Sequence, residues 1–256
     1  MNVQYMTSSE LKTQAKDLLD GRYGSAILIL FVGEMIGITI TTFTGPFVSI
    51  LQHTLQLSLV ISQLITLLLG AVISLFTNVF SVGYALFFLN MACRRSCDVS
   101  QLFYGFRWQF DKCLTLSGFF AAVSLICNLP YQLCYSMFMQ TKDTSWFMAT
   151  LLLLSGSLIV HTIISLIFSQ CYYLMLDFPD YTVQQLLHSS MQIMKGHMGR
   201  LFYLQVSFIP LTLLALLTCG IGMLWLEPYM QTTYACFFLD LMNPRKAPAD
   251  TAQGQI

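Results

Sequence analysis

Long apolar runs separated by short polar segments dominate the chain, at lengths that suit membrane crossings. Six runs are predicted as transmembrane helices, at about 25–44, 63–89, 114–133, 147–176, 201–219 and 223–241. At a rise of about 1.5 Å per residue the first just covers a hydrocarbon layer of roughly 30 Å. Gly45 and Pro46 are expected to end it, with an outer helix or helix extension from about Pro46 to Leu59. Asn78 and Gly83 are candidate kink points in the second run, and Pro130 is expected close to the end of the third. The fourth is about ten residues longer than a crossing needs, so it is expected to tilt or protrude. Gly220 and Gly222 permit a tight turn before the sixth, where Glu227 and Pro228 fall in the first turn. Trp225 and Tyr229 flank them as an expected interfacial anchor pair.

Two shorter stretches carry an amphipathic pattern instead. Within residues 1–24, Thr7 and Glu10 have the spacing of a capping box, and Leu11, Ala15, Leu18 and Leu19 share one helical face before Gly21. Lys12, Lys16, Asp17 and Asp20 make the other face too polar to cross, so this helix should lie flat at the interface or against the bundle. Later, Thr182 can cap a helix whose stripe is Val183, Leu187, Met191 and Met194, ending at Gly196. The expected fold is therefore all-α: a polytopic membrane bundle of about six transmembrane helices with two interfacial cytoplasmic helices and a flexible cytoplasmic tail, 242–256.

Composition agrees, since 56% of the 256 residues are hydrophobic and only 9% charged, against roughly a quarter in a soluble domain. The formal net charge of +0 gives no footprint for nucleic acid. Position is more informative than sum. The basic residues gather as Lys12, Lys16 and Arg22; Arg94, Arg95, Arg107 and Lys112; Lys195 and Arg200; and Arg245 and Lys246, with Lys142 alone. Six crossings place all but Lys142 on one side, and short basic loops stay in the cytoplasm, so both termini are expected there. Without the sixth crossing, Arg245 and Lys246 would join Lys142 outside. Membrane lipids are the expected partners, with another membrane protein as a further candidate.

Candidate chemistry is sparse. Glu34, midway along the first run, and His161, midway along the fourth, are an intramembrane polar pair that would form a proton relay or ion site if they met; a protonated Glu34 bonded to a neighbouring helix is the plainer alternative. Asn78, Asn90, Asn128 and Gln63 suit interhelical hydrogen bonds. Asp177 and Asp180, with His188 and His197 nearby, lack the spacing of a metal site, and capping accounts for the aspartates. The eight cysteines include no CxxC pair and read as small apolar side chains. Neither GxSxG, Walker A nor a paired-carboxylate arrangement is present, so no catalytic, cofactor or metal residue is assigned and no enzyme is expected.

The stretch from Tyr172 to Leu241 resembles a bacterial multi-pass membrane family known as domain of unknown function 975. The resemblance rests on Asp177 and Pro179; on Ser190, Met194, Lys195, Gly196 and His197; on Ser207 and Phe208; and on Gly220, Ile221, Gly222, Trp225, Pro228, Tyr229, Ala235 and Phe237. Leu18, Gly21 and Gly24, and then Phe103, Gly105 and Phe106, extend it toward the N-terminus. It is distantly similar to the membrane domains of some glycerophosphodiester phosphodiesterases, which are not their catalytic parts. The resemblance implies architecture in a bacterial cytoplasmic membrane, without an assigned activity. The expected role is a non-enzymatic accessory or scaffold; a small transporter or permease for a lipid-like or peptide substrate is the alternative, and an enzyme acting on lipid phosphates comes third. A hydrated central cavity would favour transport, and a dry core the accessory role.

Overall fold

The computed structural model describes residues 3–56, 58–243 and 245–246. Its helices are α1 (Ser8–Leu19), α2 (Tyr23–Leu55), α3 (Leu59–Ala92), α4 (Tyr104–Arg107), α5 (Phe110–Thr141), α6 (Thr144–Phe168), α7 (Cys171–Asp177), α8 (Val183–Met194), α9 (Met198–Val206), α10 (Ile209–Leu217) and α11 (Met223–Met242). A 3-10 turn, Val99–Phe103, precedes α4. The fold is all-α except for a two-residue antiparallel pairing of β1 (Val3–Gln4) with β2 (Arg245–Lys246). That pairing claims the first part of the expected tail; residues 247–256 and the side chain of Gln63 lie outside the description.

Five segments are long and apolar enough to cross a membrane: Tyr23–Leu55, Leu64–Ala92, Phe110–Thr141, Thr144–Asp177 and Met198–Leu217. The protein is thus a multi-pass membrane helical bundle. At most 22% of the most apolar stretch of any of these is buried inside the protein, so most of their side chains keep some surface available for lipid contact. Neighbouring α2 and α3, α3 and α5, and α5 and α6 pack along their lengths.

Several expected boundaries fall elsewhere. Gly45 and Pro46 do not stop α2, and Pro130 does not stop α5; both helices continue through their prolines. In hydrocarbon a helix that ends leaves its last carbonyls without water, so losing one bond at a proline costs less than stopping. Conversely, the fourth run breaks after Phe168 and the fifth after Val206. α3 is continuous through Gly83, where the missing side chain allows close packing: a Cβ would collide with the Leu102 carbonyl of the folded-back segment. The sixth run is a helix, α11, but Glu227, Gln231 and Asp240 make it more polar than the five candidate spans, and eleven of its twenty residues are buried. Tyr229 is not an exposed anchor: it is buried with its ring 5.3 Å from that of Phe208, while Trp225 is exposed.

Both amphipathic helices form as their patterns require. Thr7 and Glu10, and likewise Thr182 and Gln185, close capping boxes. The four predicted apolar residues of α1 are buried. α1 packs against α11, with Met6 beside Asp240 and Lys16 over Tyr229, while Lys12 lies over Phe208 at the α9–α10 break. Of the two placements open to α1, the structure takes the one against the bundle. Three basic side chains join segments at the ends of the long helices that carry the basic clusters, which we call the basic end: Arg22 donates to the Arg95 carbonyl, Lys112 to that of Pro179, and Arg200 pairs with Asp240. Lys142 caps α5 at the turn into α6.

A candidate polar tract at two helix breaks

The break between α6 and α7 is built by polar side chains that take over backbone bonds. Ser169 Oγ donates to the Leu166 carbonyl at 2.9 Å, and Ser190 Oγ of α8 donates to the Ile167 carbonyl at 2.8 Å. The break between α9 and α10 lies ahead of Pro210, whose ring nitrogen has no hydrogen to continue the ladder. There Lys12 Nζ reaches the Ser207 carbonyl at 3.1 Å, and Ser207 Oγ donates to Leu204. Irregular backbone in a membrane bundle is tolerated where protein covers it or where it lines a cavity.

The α6–α7 break lines a cavity of about 210 Å³ among α3, α7, α9 and α11, and Gln205, two residues before the α9–α10 break, reaches its wall. Its polar wall comprises Tyr84, Tyr173, Tyr234, Gln205 and Gln231, with Gln170 at the α6–α7 break. Gln170 is only 2% exposed; its amide donates to Ser169 Oγ at 2.8 Å, and its Oε1 is buried without a partner. Such an oxygen costs about 1–3 kcal/mol unless water or a solute donates to it. A second cavity of about 320 Å³ adjoins the first, sharing Ser169 and Tyr172, and leads between α3, α5 and α6 to Asn78, Ser165 and His161.

This tract separates the predicted pair. His161 lies in the second cavity, whereas Glu34 stands exposed on α2, within electrostatic reach of Tyr84 at the first. No hydrogen bond or ion pair joins them. Asn128 bonds within its own helix, to Ser124 Oγ at 3.0 Å, rather than across helices. Asp177, Asp180, His188 and His197 do not converge: His188 contacts Gln192 at 2.9 Å, His197 packs on Tyr5, and no trio of ligand side chains able to hold a metal occurs among the described residues.

Toward the basic end stands a cluster that residue spacing does not reveal. Asp240, whose side chain is 2% exposed, meets Arg200 Nη2 at 2.7 Å and accepts the Met6 backbone N–H at 3.0 Å. Arg200 Nη2 also donates to the Met6 carbonyl at 2.8 Å, and its guanidinium lies over the Tyr5 ring at 4.7 Å. His197 stands edge-on to Tyr5 at 4.6 Å; burial, then the nearby Arg200 charge, pushes its pKa below the usual 6.5, partly opposed by Asp240. The available sequence signal was an acid near the end of an apolar run; its partners are too distant in the chain to be inferred from spacing.

The motif positions have mainly structural work. Asp177 ends α7, and the Pro179 carbonyl receives Gln109 and Lys112, fixing the α7–α8 turn to the start of α5. Met194 is fully buried, and Gly196 and Gly220 take the positive φ values of 87° and 83° that favour glycine. Gly222 lies so close to Ala215 that a Cβ would clash; Pro228 and Tyr229 are buried, and Trp225 faces outward.

No curated protein and no solved structure matches the chain. A family described as protein of unknown function (DUF975) matches residues 5–245, and it is to this family that the chain belongs.

Proposed function

We propose that the protein is a small permease of the bacterial cytoplasmic membrane, with both termini cytoplasmic, that admits a small hydrogen-bonding solute into the tract between its basic end and His161. The observation that carries this reading is the pair of adjoining cavities at the α6–α7 break, with the buried Gln170 Oε1 awaiting a donor. Discontinuous helices that line a membrane cavity are a recurring way to present backbone and amide groups to a solute. The tract contains amides, phenols and one imidazole but no carboxylate among its wall residues, which favours neutral polar solutes over metal cations.

The test is permeation into proteoliposomes, followed by light scattering after challenge with glycerol or urea. Flux above that of empty vesicles, reduced by Asn78→Leu or Ser165→Leu, is expected. No flux for any probe, with intact protein, would remove the permease reading. An accessory role would then be favoured by the exposed face of α6, where Leu152, Leu158 and Ile159 stand 60–73% exposed and could receive a partner helix.

A further inference from the structure

We propose that the hairpin formed by α9, α10 and α11 enters the membrane from the basic end and turns within it, offering its tip to lipid acyl chains without reaching the far side. This inference is independent of the permease reading. It rests first on depth. Gln231 and Tyr234 of α11 share a cavity with Ser81, Tyr84 and Ala85 of α3, and Thr232 Oγ1 lies 3.7 Å from Met91 Sδ, so the two helices run side by side toward the basic end. From Gln231 back to Met223, α11 extends about 12 Å at the helical rise, whereas α3 extends about 33 Å from Ser81 to Leu59. On α6 the distance from Ser169 to Thr144 is about 37 Å. The turn therefore stops roughly 20 Å short of the far ends of the long helices when measured from the shared cavity, and about 35 Å short when measured from the Thr232–Met91 contact.

The level of the water boundary gives a second line. The polar segment after α3 folds back along it, placing the Leu102 carbonyl against Gly83 and Gly105 against the Val79 carbonyl, while Asp98 and Ser100 are exposed. The backbone of this segment thus accompanies α3 down to about residue 79, with Arg107 exposed two residues beyond Gly105, leaving Leu59 to Val79 at about 30 Å, one hydrocarbon thickness. The hairpin tip projects only a short way past that level.

The tip itself suits hydrocarbon. No charged residue occurs between Arg200 and Glu227, and Leu213, Leu214, Leu217, Ile221 and Trp225 stand 54–82% exposed. Its backbone closes on itself: Ile221 N–H donates to Thr218 O at 3.2 Å, Met223 N–H to Gly220 O at 2.9 Å, and Gly222 N–H to Thr218 Oγ1 at 2.9 Å. A turn that supplies its own acceptors can sit where water cannot. Four crossings, by α2, α3, α5 and α6–α7, then return both termini to the basic side just as six would.

Native Cys219 in the turn is exposed on the protein surface and serves as the reporter. The full chain, in sealed vesicles of each orientation, is treated with a membrane-impermeant maleimide, and labelling is read peptide by peptide by mass spectrometry. Cys93 is the internal control for the basic side, and Asp143→Cys for the far side. Labelling of Cys219 should fall at least about tenfold below both controls from either face, because a thiolate does not form in hydrocarbon, and recover in detergent. In Trp108→Phe/Trp146→Phe protein, Trp225 emission should be quenched by lipids brominated in mid-chain. Labelling of Cys219 from the far face would establish a full crossing and overturn the proposal. So would labelling from the basic face alone, or an unquenched Trp225, by placing the tip in water.

Discussion

Replacing Asp240 with Ala should release the N-terminal segment from the bundle. The carboxylate is nearly inaccessible, bonds the Met6 N–H through both oxygens at 3.0 and 3.2 Å, and neutralises Arg200 at 2.7 Å. Removing one partner of a fully buried ion pair costs about 3–5 kcal/mol, largely through the charge left behind. Because the Arg200 side chain is 28% exposed, water can recover part of its solvation, which places the loss near 3 kcal/mol. At about 1.4 kcal/mol per factor of ten, opening of the segment should rise by roughly a hundredfold. Hydrogen exchange in nanodiscs reads this directly: the amide of Met6 and those of the first turns of α1 should lose protection, while those in the middle of α3 keep theirs. Asp240→Asn, which preserves an acceptor but not the charge, should fall between. Protection of Met6 unchanged within about threefold in Asp240→Ala would refute the view that this carboxylate holds the segment, since even one lost charged hydrogen bond exceeds that.

His197 should make the same docking sensitive to acid. Its folded pKa lies below 6.5, so folding favours the neutral ring; its contribution is complete above about 6.5 and declines as pH falls through that value toward the folded pKa. Exchange near Tyr5 should therefore accelerate on acidification, and His197→Gln should flatten that dependence; an unaltered pH profile in the variant would contradict the assignment. Gly105→Ala should destabilise the protein by about 1–3 kcal/mol, because its Cβ would press on the Val79 carbonyl, which is backbone and cannot move aside. Thermal unfolding in detergent would show this as a lowered midpoint, whereas Gly118→Ala, with nothing within 4 Å of the added carbon, should leave it nearly unchanged.

Local chemistry was the most legible part of the chain. The Thr7–Glu10 box, the buried Leu11–Ala15–Leu18 face, the Thr182 cap and the positive-φ Gly196 and Gly220 all depend on residues within a turn or two of one another. The breaks at Ser169 and Ser207 are not legible in the sequence, because isolated Ser and Gln residues are compatible with an unbroken apolar helix and the compensating groups, Ser190 and Lys12, come from other elements. Pro46, Pro130 and Pro210 illustrate the same limit. Each removes one donor, yet α2 and α5 continue through theirs while a new helix begins at Ile209 just ahead of the third, an outcome set by surrounding groups rather than by the proline itself.

The candidate site was legible only in its ingredients. Glu34 and His161 stood out because ionisable groups in apolar runs are rare, but which of them faces a cavity depends on how α2 and α6 rotate against their neighbours. Gln170, Gln205 and Gln231 have no signature in the sequence, since a single amide in an apolar run carries no distinguishing pattern until packing brings such amides to one space.

By itself the sequence determined that this is a multi-pass helical membrane protein, through the length of its apolar runs, and that an even number of passages best sorts its basic residues. Parity is all that charge counting can supply, because a hairpin that turns inside the bilayer and one that crosses it return the chain to the same face. The relative depth of the helices was decided only by tertiary packing, which set α11 beside the basic half of α3 and left its turn well short of the far ends. Depth is a relation between elements distant in the chain, fixed by contacts such as Thr232 with Met91 and Arg200 with Asp240, and hydropathy along a single run contains no term for it.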